Sequence, residues 1–136
     1  MNKTVRVIGI GSPVEGDRVG MQLVERLRNA PEWSQRDEIE WLVLERPGAA
    51  LLQTFSGVET VCLIDALEGG DSVRRIVPQE LLAQEVMISS HHIGVAEALQ
   101  LAELLNQLPP RLLIYGVSDR CENYAPLSAM LAEDLG

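Results

Sequence analysis

The chain has 136 residues, 46% of them hydrophobic and 23% charged, with 20 acidic against 11 basic side chains and a formal net charge of −9. That length suits one domain, residues 1–136, and the composition is too apolar for disorder. The acidic excess, uninterrupted by any Lys/Arg cluster, repels phosphate backbones and argues against a nucleic-acid partner.

No apolar run approaches the ~18 residues of a membrane helix, so no membrane span is expected. Met1–Thr4 leads straight into a strand-like run with none of the features of a secretory signal, and the expected location is cytoplasmic. The protein is taken as a monomer. Cys62, inside an apolar run, and Cys121, in a polar segment, form neither a CxxC pair nor a disulfide framework and read as a core thiol and a loop thiol.

β-rich runs alternate with helical periodicity along the chain, which predicts a three-layer α/β/α sandwich around a mostly parallel, roughly five-stranded twisted sheet. Val5–Ile10 is β-branched and bounded by Gly11, a buried first strand. Val19, Leu23, Val24 and Leu27 recur at helical spacing, so a helix runs from Arg18 to about Arg28. Pro31 to Asp37 reads as a loop and Ile39–Leu44 as the second strand. Pro47-Gly48 turns into a short helix, Ala49–Phe55.

Thr60–Ile64 is apolar enough to be a central strand, and Asp65 closes it. Glu68–Asp71 is a turn. Ser72–Val77 mixes apolar with charged residues, as an edge strand does. Val86–Ile88 is a further short apolar run, followed by the helix Gly94–Asn106, which Pro109-Pro110 stops. Arg111–Val117 is the last strand and a closing helix starts near Pro126.

Three polar residues stand at the ends of these runs: Asp17 after the first strand, Asp65 at the end of the third, and His91 before the strongest helix. Parallel strands share a carboxyl edge, and open α/β sheets keep their sites in the crevice beside it. Two carboxylates converging there repel each other unless a cation joins them. Two oxygens and one nitrogen suit a borderline transition metal such as nickel or zinc, with coordination positions left open.

The phosphate-loop alternatives fail in detail. A dinucleotide fingerprint begun at Gly9 requires glycine where Val14 stands, and a Walker loop requires Gly-Lys where Gly16-Asp17 stands. The simplest structural alternatives are a helix N-cap for Asp17, a loop cap for Asp65, and turn or cap roles for Ser12, Ser89 and Ser90. Glu15 reads as a solvated loop residue and Arg18 as a solvated helix-start charge. His91 and His92 are adjacent, so in extended chain at most one faces a given site.

These segments resemble the hydrogenase maturation endopeptidases, which trim the large subunit of [NiFe] hydrogenases, and the resemblance covers nearly the whole chain. Gly11-Ser12-Pro13 followed by Gly16-Asp17-Arg18-Val19-Gly20 matches the family's opening loop and its D-D/E-x-V/I-G motif. Cys62-Leu63-Ile64-Asp65-Ala66 matches its V-x-x-D-A strand end, Ser89–Gly94 its S-x-H-x-x-G, and Leu112–Val117 its last strand.

The resemblance implies that Asp17, Asp65 and His91 ligate nickel carried by the substrate, and it selects His91 over His92. It implies an endopeptidase that removes the C-terminal extension of a large-subunit precursor after nickel insertion. Many members carry two consecutive acids where this chain has Gly16-Asp17, which keeps Glu15 in reserve. Two rivals remain from the residues alone: a non-catalytic flavodoxin-like or receiver-like domain with Mg²⁺ on Asp17 and Asp65, and a zinc-dependent small peptidase or amidase.

Overall fold

Four strands run parallel: β1 (Val5–Ile10), β2 (Ile39–Leu44), β3 (Thr60–Leu67) and β5 (Arg111–Ser118). A fifth, β4 (Val73–Ile76), lies antiparallel against β5, and the order across the sheet is β2-β1-β3-β5-β4. A computed structural model describes residues 3–11, 18–45, 49–67, 72–82, 93–118, 120–121 and 123–136. The turn at Glu68–Asp71 and the run Val86–Ile88 lie outside them.

Strand alternation divides the interior into two cores. Val7, Cys62, Ile64, Tyr115 and Val117 face one side, where α1 (Val19–Asn29), α2 (Pro31–Ser34) and α6 (Ala125–Leu135) cover them. Ile8, Ile10, Val61, Leu63 and Ile114 face the other, under α3 (Ala49–Gln53) and α5 (Ile93–Leu104), with α4 (Pro78–Leu82) packed beside α5. These are the three layers expected, with β3 at the centre and β4 at the edge.

Local chemistry explains the element ends. α5 stops at a Schellman motif: Asn106 takes the left-handed conformation (φ 58°), its N–H donates to the Glu103 carbonyl, and the Gln107 N–H donates to the Ala102 carbonyl at 2.7 Å. The helix therefore ends before Pro109-Pro110 is reached. The segment read as a loop after Pro31 contains α2, because Pro31 at the helix start and Glu32 in its first turn suit the helix, and the buried Trp33 anchors it. Trp33 donates its indole N–H to Ser128 Oγ at 2.8 Å and packs edge-on against Trp41.

The short helix α4 was not expected from the apolar pattern. It uses the same proline start, and Glu80 Oε1 accepts the Val77 N–H at 3.0 Å, one half of a capping box. That bond, followed by the one from Arg74, holds the Glu80 carboxyl below its usual value. No helix among the described residues is long and apolar enough to cross a membrane.

Candidate active site

The carboxyl ends of β1, β2, β3 and β5 share one edge, and α1 begins there. α5 begins there too, since the turn that joins its other end to β5 lies at the opposite, amino edge. The two helices start on opposite faces of the sheet, so the edge is bordered by a helix start on each side.

Asp65 lies on this edge in the central strand. β3 continues three residues past Ile64, so Asp65 is inside the strand, paired in register with Gly116 of β5. Its strand pairing places it in the sheet, where the sequence pattern read a terminal position. The residue is buried, only 3% exposed, and Oδ1 accepts the Ala66 N–H at 2.8 Å. Alternation along β3 assigns it to the face of Val61 and Leu63, the α5 face. A buried carboxylate is costly unless hydrogen bonds or a cation compensate it, and this one stands at the edge where open α/β sheets keep their sites, which makes it a candidate ligand.

Asp17 and His91, the other two expected ligands, lie outside the described residues, as do the reserves Glu15 and His92. Their neighbours are described. The N-cap of α1 is Arg18, whose side chain makes no capping hydrogen bond, so the capping position expected for Asp17 falls one residue later. Arg18 is exposed, as a solvated helix-start charge should be. His91 precedes the start of α5 by two residues. Among the described residues, no three His, Cys, Asp or Glu side chains are grouped closely enough to hold a metal ion.

Other reactive groups are accounted for by structure. The Cys62 thiol is buried beneath α6, and burial pushes its pKa up to about 12, which leaves it an inert thiol. Cys121 is partly exposed and its thiol donates to the Asn123 carbonyl at 3.3 Å.

Asp134, near the end of α6, accepts the Tyr115 hydroxyl at 2.6 Å and Arg75 Nε at 2.9 Å, while Arg111 donates to its backbone carbonyl. Burial disfavours its charge, but the bonds from Arg75 and Tyr115 and the nearby cations outweigh that and hold its carboxyl below the ordinary value. Burial, followed by the bond to Asp134, pushes the Tyr115 hydroxyl upward. These groups clasp α6 onto the sheet.

A cleft of about 940 Å³ opens at the amino edge, with Lys3, Phe55, Glu59 and Gln107 among its lining. It is on the wrong side of the sheet for strand-end chemistry, and the Lys3 ammonium already donates to the carbonyls of Asp37 and Ile39.

No protein-family model matches the chain, and no curated protein matches it. Solved structures do. The hydrogenase maturating endopeptidase HybD from E. coli is 21% identical with a TM-score of 0.69, over 96% of this chain and 93% of that one. An endopeptidase from Escherichia coli, solved in solution, is 21% identical with a TM-score of 0.70 over 95% and 90%. The [NiFe] hydrogenase maturation protease HycI from Thermococcus kodakarensis KOD1 is 16% identical with a TM-score of 0.64 over 96% and 91%. At such identities the likeness is one of architecture, and it runs almost end to end: the chain has the fold of the hydrogenase maturation endopeptidases.

Proposed function

We propose that this protein is a hydrogenase maturation endopeptidase that removes the C-terminal extension of a [NiFe]-hydrogenase large-subunit precursor. The observation that carries this reading is Asp65, a buried aspartate at the carboxyl edge of the central strand, in a fold shared with such endopeptidases. The nickel belongs to the substrate. Asp65 supplies one oxygen ligand to it, and Asp17 and His91, on the segments that lead into α1 and α5, supply the others.

Metal recognition of this kind suits the donor set. Two carboxylates and one imidazole leave coordination positions open, so the precursor's own ligands stay on the nickel. Held by these residues, the metal would polarise the scissile carbonyl or activate a water for attack, the parts that an oxyanion hole and a base-activated nucleophile play in a conventional protease. The chain offers little for the conventional route. Its two histidines are adjacent in sequence and Cys62 is sealed in the core.

The test mixes purified protein with nickel-loaded and nickel-free precursor and follows the downward shift of the large subunit on a gel. Cleavage of the nickel-loaded form alone is expected. Equal cleavage of both forms would remove nickel sensing, and cleavage of neither would remove the enzyme assignment. As purified, the protein is expected to carry far less than one equivalent of metal, whereas a resident zinc enzyme carries about one.

A further inference from the structure

Gly20 is the second residue of α1, where alanine is the better helix former, and its backbone is not left-handed. Space is what excludes a side chain. A Cβ at Gly20 would lie 2.6 Å from the Ile64 carbonyl oxygen and 2.9 Å from the Ile10 carbonyl oxygen. Both obstacles are backbone atoms of the central strands β3 and β1, which cannot rotate away as the end of a side chain can.

Gly9 repeats the arrangement from the strand side, since a Cβ there would lie 2.8 Å from the Gly20 carbonyl oxygen and 2.8 Å from Val24 Cγ2. The two glycines let the first turn of α1 rest directly on β1 and β3. The Ile64 carbonyl belongs to the peptide unit that leads into Asp65, so the contact joins the helix start to the backbone of the buried acid.

We infer that Gly20 is a positioning residue for the reaction: its missing side chain sets the separation between the start of α1 and the Ile64–Asp65 peptide. It thereby places Asp65 relative to the first turn of α1. This inference rests on the proposed function. An alanine at Gly20 forces the helix or the strand to give way by about 0.4 Å merely to reach 3.0 Å from the Ile64 oxygen. Displacements of that order matter at a reacting centre, where about 1 Å costs on the order of a hundredfold in rate.

The experiment compares wild type, Gly20→Ala, Asp65→Asn and Met21→Ala in cleavage of nickel-loaded precursor, with thermal unfolding and the Ala66 amide NMR resonance recorded for each. Met21 is buried in the same helical turn, so its truncation loosens the turn without placing an atom against the strand carbonyls. Gly20→Ala is expected to lower kcat by about tenfold or more with KM little changed. It should also move the resonance of the Ala66 amide, which donates to Asp65 Oδ1.

Met21→Ala should leave kcat and that resonance near wild type at a comparable loss of stability. Wild-type cleavage by Gly20→Ala beside an inactive Asp65→Asn would overturn the inference and leave the proposed function standing. Full cleavage by Asp65→Asn would overturn both. Equal slowing by Gly20→Ala and Met21→Ala would reduce Gly20 to a packing role. If Gly20→Ala does not fold, Gly9→Ala in a Val24→Ala background loads the same joint through the Gly20 carbonyl. Its kcat should fall relative to Val24→Ala alone, and an unchanged value overturns the inference.

Discussion

The two edges of the sheet treat their aspartates differently. Toward the amino edge, Asp134 is held by Tyr115 and Arg75, with Glu133 also paired to Arg75 at 2.5 Å, and Arg111 at the start of β5 takes the Asp134 carbonyl. Each charge there has a partner that ties α6 to a strand. At the carboxyl edge Asp65 is more deeply buried, and its Oδ1 accepts the amide of its own successor, Ala66. The acid that clasps α6 has a structural role, whereas a buried acid at the edge where open α/β sheets keep their sites is the one the proposed function uses as a ligand.

The largest effect that would break this contrast is on activity. Asp65→Asn, and likewise Asp17→Asn or His91→Ala, should reduce processing by on the order of 10²-fold or more, the rate equivalent of losing several kcal/mol of metal-assisted stabilisation. Asp65→Asn keeps an acceptor for the Ala66 amide, so its unfolding midpoint should stay within a few degrees of wild type. Full activity in any one variant removes that residue from the site.

Asp134→Asn should do the reverse. Weakening the charged bonds to Tyr115 and Arg75 should cost about 1–3 kcal/mol in urea unfolding while processing at permissive temperature is unchanged.

The pH dependence sharpens the same point. Asp134 titrates below its ordinary 3.8 in the folded protein, so the unfolded chain binds the extra proton first as pH falls. Its contribution is complete above the unfolded value and disappears as pH drops through the lower folded one. The stability gap between wild type and Asp134→Asn should therefore narrow below about pH 4 in urea unfolding curves.

The smallest effect belongs to Asn106. Asn106→Ala should cost roughly 1 kcal/mol for a left-handed alanine, while Asn106→Gly should be neutral or gain a few tenths. Neither change should alter cleavage.

Much of this was legible in the chain, because hydrophobic period and β-branching are local properties. Val5–Ile10, Ile39–Leu44 and the helix after Arg18 fall within a residue or so of their expected bounds, and the charges of Arg74 and Arg75 announce an edge strand. α2 and α4 escaped the apolar pattern because one and a half turns carry no periodicity. Their signal was the proline at the first helical position with an acid behind it, Pro31-Glu32 and Pro78-Gln79-Glu80. The extension of β3 through Asp65 was not legible either, since a charged residue joins a strand only when neighbours such as Gly116 pair with it.

The sequence alone determined the α/β class, the strands and the candidate acids, because each follows from side-chain type and spacing over a few residues. Only the tertiary structure decided the strand order, the reversed direction of β4, the burial of Asp65 and the contact of Gly20 with the Ile10 and Ile64 carbonyls. Most of those depend on segments distant in the chain, such as Gly20 and Ile64, meeting in space, and no local pattern encodes how closely two backbones will approach.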